Sequence, residues 1–135
     1  MCAGNICRSA VAEIYVKSLG AEAASFGVNC PDGDPANDTM MRVAATKDLH
    51  LESHLTTSMK KFTPQQGDLF VAMEKSHIDK IKTLIHSEYN NLKYDGFIYI
   101  PPDTQIIPKF INDTSFNLLN KLKNDNNSFK LHVNR

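Results

Sequence analysis

No stretch of this 135-residue chain stays apolar for the about 20 consecutive residues that a membrane span takes. Neither charge is in excess, because 15 Lys and Arg face 15 Asp and Glu. That balance argues against the basic surface on which nucleic acid or an anionic membrane is held. Only three cysteines occur, Cys2, Cys7 and Cys30, too few for the disulfide framework of a small secreted domain. No signal peptide precedes Cys2, so a reducing, cytoplasmic setting is expected. Metal-ligand spacing is missing too: His50 and His54 stand four apart but straddle an expected loop, and no metal or other cofactor is expected. Internal repeats are absent, and only the Asn/Lys-rich stretch 121–128 has low complexity. What these absences leave is one domain over residues 1–135, large enough to bury a core without staples.

What is present is concentrated at the start. Cys2-Ala3-Gly4-Asn5-Ile6-Cys7-Arg8-Ser9 places a cysteine, five residues, an arginine and a hydroxyl directly before a helical pattern. In a loop that caps a helix, the backbone N–H groups and the positive end of the helix dipole converge on one point and hold phosphate. The same field favours the thiolate of Cys2, which makes it a nucleophile. Arg8 can grip two phosphate oxygens with its planar fork. Gly4 and Asn5 are the residue types that best tolerate the positive φ angles of such a cradle, and Ser9 can donate a hydrogen bond to the sulfur. The short pattern alone is also compatible with two small packed cysteines and a solvated arginine.

Along the rest of the chain, helices and strands alternate. Residues 10–19 put Val11, Ile14, Tyr15 and Leu19 on one helical face, with Gly20 as the stop. Residues 23–26 form a weak strand candidate, and residues 28–37 carry loop chemistry. A helix is expected over 38–49 through Met41, Val43, Ala44 and Leu49, followed by a polar connection over 58–67. Residues 69–73 are continuously apolar, as in a strand covered on both faces. Ser76 is expected to cap a helix striped by Ile78, Ile81, Leu84 and Ile85. A further strand over 96–100, a loop over 101–112 and a helix over 114–122 complete the pattern. Such alternation implies a parallel α/β sheet, with ligands at the carboxyl ends of its strands.

The longer string Cys2-x-Gly4-Asn5-x-Cys7-Arg8-Ser9 resembles the phosphate-binding loop of low-molecular-weight protein tyrosine phosphatases of the bacterial type. Thioredoxin-coupled arsenate reductases use the same fold. The likeness continues in order through Ser25-Phe26-Gly27, through Gly33-Asp34-Pro35 to Leu51 and His54, and through Ala72-Met73-Glu74-Lys75-Ser76-His77. It implies a three-layer α/β sandwich with a small parallel sheet. It implies hydrolysis of phosphotyrosine in proteins by Cys2 through a cysteinyl-phosphate. Arg8 and the amides of Ala3, Gly4, Asn5, Ile6, Cys7, Arg8 and Ser9 bind the phosphate. Asn5, Ser9, Ser25 and His54 occupy the positions of the family's bracing network. The implied partner is a phosphotyrosine protein, a tyrosine autokinase of polysaccharide export by analogy, met by a monomer or weak dimer.

Two departures stand against the family pattern. The family begins with a hydrophobic strand before its cysteine, whereas only Met1 precedes Cys2. Either the sequence begins at an internal methionine of that strand, or the alternating residues 129–133 pair in its place. The family also carries its general acid in an Ile-Pro-Asp-Pro-Tyr loop, where this chain reads Ile107-Pro108-Lys109-Phe110. With Lys109 in place of the aspartate, Asp103 is the first substitute for the acid and Asp113 the second. The rival readings are a phosphate-binding pseudophosphatase and a thiol-dependent arsenate reductase. The latter needs relay cysteines, and only Cys30 lies beyond the loop.

Overall fold

The computed structural model describes residues 1–99. The elements expected over 101–112, 114–122 and 129–133 lie outside them, as do Asp103, Lys109 and Asp113. The described elements run α1 (Arg8–Ser18), α2 (Asp38–Ala45), β1 (Leu69–Ala72), α3 (Lys75–Glu88) and β2 (Gly96–Tyr99). Strands β1 and β2 pair in parallel, from Leu69 opposite Gly96 to Ala72 opposite Tyr99. On the other side of β1 lies Met1, whose nitrogen donates to Val71 O at 2.6 Å and whose carbonyl accepts from Met73 N–H. Cys2 then bridges Gly27 in parallel, and Gly27 bridges Ser58. The sheet therefore extends from β2 through β1 to Met1–Cys2 and the segment around Gly27.

Alternation along β1 explains its layers. Leu69, Val71 and Met73 point into one cluster with Val11, Ala12 and Val16 of α1 and Ala44 of α2. Phe70 and Ala72 point the other way, against Phe26, Phe62 and Ile81 and Ile85 of α3. Helices thus cover both faces, and all four residues of β1 are buried. Burying a side chain such as Phe70, 1% exposed, contributes about 2 kcal/mol.

Element ends depart from the sequence pattern for local reasons. Helix α1 starts at Arg8, inside the motif, and its most buried apolar residues are Ala10, Val11, Ala12 and Val16. Ile14, Tyr15 and Leu19 are only partly buried. It stops at Gly20 as expected: Gly20 N–H returns to Lys17 O and Ala21 N–H to Val16 O, with Gly20 at φ 86°. Helix α2 ends at Ala45 rather than 49, because Asp48 adopts φ 57° and Leu49 N–H closes onto Ala44 O. The run 23–26 carries a single bridge position, at Ser25, instead of a strand. Ser76 does not cap α3. The cap is Glu74 in extended conformation, with no side-chain hydrogen bond, and Ser76 is already helical.

Candidate active site

The loop from Cys2 to Cys7 leaves the sheet and enters α1 in one turn. The chain reverses at Asn5, whose φ of 55° only a few residue types hold without strain. Gly4, expected to share that role, is not at positive φ, and a Cβ there meets only Ile6 at ordinary contact distance. The residue that must be glycine is Gly27. A Cβ on it would fall 2.6 Å from Ala3 O and 2.5 Å from Cys30 Sγ, so the segment from 25 to 29 can lie flush against the loop. Val28 N–H to Cys2 O and Asn29 N–H to Ala3 O fasten that contact. Cys30, distant in sequence, is thereby brought beside the loop.

Cys2 is buried, 3% exposed, at the amino end of α1. Its Sγ accepts from Asn5 N–H at 3.3 Å and lies 3.0 Å from Ser9 Oγ. The four residues expected to brace the loop do converge. Asn5 Nδ2 donates to Ser9 Oγ at 2.8 Å and to Ser25 Oγ at 2.7 Å. His54 Nε2 donates to Asn5 O at 2.6 Å, which places its ring proton on Nε2. Asn5, Ser9, Ser25 and His54 are all buried. Groups desolvated in this way must be satisfied inside the protein, so the network fixes the loop rather than decorating it.

Around the mouth, the backbone N–H groups of Ala3, Gly4, Ile6, Cys7 and Ser9 meet no backbone acceptor among the described residues. Together with the dipole of α1 they form a nest of donors suited to a tetrahedral anion. The Asn5 N–H is already committed to sulfur. Arg8 Nη2 lies 3.3 Å from Glu74 Oε1 at the carboxyl end of β1, as expected for a ligand site on a parallel sheet. Burial pushes the Cys7 thiol up, and Cys2 beside it adds to that, while Arg8 pulls the other way. The Cys30 thiol is also raised, by burial first, against a Gly27 backbone hydrogen bond. Both are therefore poor nucleophiles at neutral pH. Among the described residues no group of three or more His, Cys, Asp or Glu side chains gathers as for a metal ion.

Three residues of the site were not singled out from the sequence. Thr57 N–H donates to Asn5 Oδ1 at 2.9 Å, Glu13 Oε1 accepts from Ser25 Oγ at 2.7 Å, and Glu74 meets Arg8. Only Glu74 had a signal, as part of the segment from Ala72 to His77.

Known proteins resemble this chain in sequence and fold. The chain is 35% identical over 83 residues to the low molecular weight protein-tyrosine-phosphatase Wzb of Escherichia coli K12, covering 60% of this chain and 56% of that one. It thus spans about half the length of the curated relatives it matches. The crystal structure of the Erwinia amylovora tyrosine phosphatase AmsI superposes with a TM-score of 0.55 at 29% identity, over 69% of this chain and 62% of that one. A low molecular weight protein tyrosine phosphatase from T. tengcongensis superposes at 0.60 over 93% of this chain and 95% of that one; at 24% identity it speaks for the fold alone. The sequence model of the low molecular weight phosphotyrosine protein phosphatases matches residues 1–95, and this chain belongs to that family.

Proposed function

We propose that this chain hydrolyses phosphotyrosine in proteins through a cysteinyl-phosphate. The observation that carries the reading is a buried Cys2 sulfur held by Asn5 N–H and Ser9 at the amino end of α1, inside a ring of unspent N–H groups. The Cys2 thiolate attacks phosphorus in line, forming the S–P bond as the aryl P–O bond breaks. Arg8 and the amides of Ala3, Gly4, Ile6, Cys7, Arg8 and Ser9 hold the equatorial oxygens, whose charge grows in the transition state. The phenolate oxygen takes a proton from a general acid, which we assign to Asp103, with Asp113 the second candidate in the sequence. Water then attacks the phosphocysteine, gives its proton to the acid's conjugate base, and releases phosphate and thiolate. The partner is a tyrosine-phosphorylated protein met in the cytoplasm.

Cys2→Ser tests this reading: turnover of an aryl phosphate should vanish while vanadate still binds, and near-wild-type turnover would overturn it. Ile107-Pro108-Lys109-Phe110 favours a second reading, a phosphate-binding protein with little turnover. Leaving-group dependence separates the two, since a positioned acid is worth about 10²–10⁴ in rate. If Asp103 is the acid, Asp103→Asn should slow phosphotyrosine far more than an activated aryl phosphate. If the wild type already slows steeply on phosphotyrosine relative to an activated aryl phosphate, and neither Asp103→Asn nor Asp113→Asn changes that, the acid is missing.

A further inference from the structure

The bracing network does not end at Ser25. Asn5 Oδ1 accepts from Thr57 N–H at 2.9 Å, which orients the amide and turns both Nδ2 hydrogens toward the serines. Ser25 Oγ receives one of them and must place its own proton elsewhere, in a site that is 0% exposed. Its acceptor is Glu13 Oε1 at 2.7 Å, on the second turn of α1; the other Glu13 oxygen pairs with Lys17 Nζ at 2.6 Å. A carboxylate has only acceptors, so this link has one direction. Ser9 Oγ takes the remaining Nδ2 hydrogen, and its own proton is left for Cys2 Sγ, 3.0 Å away.

We propose that Glu13 is a positioning residue that fixes the direction of this hydrogen-bond chain, so that Ser9 donates to the Cys2 sulfur. Without an acceptor at Glu13, the buried Ser25 proton has a competing solution in which the Asn5 amide turns over and Oδ1 faces both serines. Ser9 then spends its proton on Asn5 rather than on Cys2, and Thr57 N–H meets a donor instead of an acceptor. Thr57 and Glu13 thus hold one amide orientation from opposite ends. The inference draws its importance from the reading of Cys2 as nucleophile, but its test does not need turnover.

The sign of the effect separates proton order from charge. Removing a nearby negative charge favours the thiolate, whereas losing the Ser9 donor disfavours it. The experiment is iodoacetamide alkylation of the intact chain against pH, with the Cys2 peptide resolved by mass from those of Cys7 and Cys30. In Glu13→Ala the half-maximal pH for Cys2 should rise by about one unit, the tenfold loss expected when a hydrogen bond to a charged group goes. Glu13→Gln keeps an acceptor oxygen and should leave it unchanged or slightly lower. Ser25→Ala removes the proton that needs Glu13 and leaves Thr57 holding the amide, so it should keep the half-point near that of the wild type, and adding Glu13→Ala to it should then shift nothing more. An unchanged or lowered half-point in folded Glu13→Ala overturns the proposal, as does the same rise in the double variant, where no Ser25 proton remains to turn the amide. If Glu13→Ala does not fold, Glu13→Met, which keeps the length of the side chain without an acceptor, decides, and an unmoved profile there overturns it.

Discussion

The loop at Cys2 and the apolar face of β1 are held by different physics. At the loop, order comes from buried polar groups: one asparagine serves Ser9, Ser25 and Thr57 with its side chain, while its backbone serves Cys2 and His54. Across β1 and α3, order comes from apolar contact, with Phe70 and Ala72 against Ile81, Ile85 and the stacked pair Phe26–Phe62. The first kind is directional and fails as a unit. The second is additive and tolerates small changes in shape. The same fold therefore keeps geometry in one region and bulk stability in the other.

Asn5→Ala should expose this most sharply. It orphans Thr57 N–H and takes from Ser9 and Ser25 the donor they share, lowering unfolding free energy by about 3 kcal/mol and aryl phosphate turnover by about 100-fold or more. Denaturant unfolding and steady-state kinetics on one preparation measure both. Next in size, Ile81→Ala should lower stability by a similar amount, about 3 kcal/mol, while turnover below the melting transition stays within about twofold. Comparable losses of turnover in the two variants would erase the distinction between the regions.

The smallest effect concerns His77, the polar intruder on the apolar side. It is 3% exposed, Nδ1 has no hydrogen-bond partner among the described residues, and Nε2 lies 3.5 Å from Glu74 Oε2. Burial pulls its pKa down, against Glu74, with Lys80 and Arg8 also lowering it. The unfolded chain then binds a proton that the folded one refuses. Stability is complete above the ordinary histidine range and falls as pH drops through it, levelling off below the depressed folded value. His77→Gln should flatten that part of the stability–pH curve, and an unaltered slope would place the titration elsewhere.

The apolar region was legible in the sequence because its pattern is local. The run 69–73 and the stripe Ile78, Ile81, Leu84, Ile85 follow from side-chain period alone. Helix ends were less so. Asp48 takes a left-handed cap that glycine usually marks, and Glu74 caps α3 through its backbone, so Ser76 misled. Asn5, Ser9, Ser25 and His54 were legible only through resemblance to a family, since no spacing rule joins residues 5 and 54. Thr57 contributes a backbone N–H, which carries no residue signature. Glu13 reads as half of an i,i+4 pair with Lys17, and its second partner lies twelve residues away.

Gly27 ties its own segment to the loop tightly enough to make it a reporter. Its N–H goes to Thr57 O and its carbonyl accepts from Met59 N–H, while the next two amides go to Cys2 O and Ala3 O. The amides of Val28 and Asn29 cannot exchange with solvent deuterium unless their segment parts from residues 2 and 3. Their exchange rates are thus a clock for loop opening, readable without touching the cysteine or adding an anion.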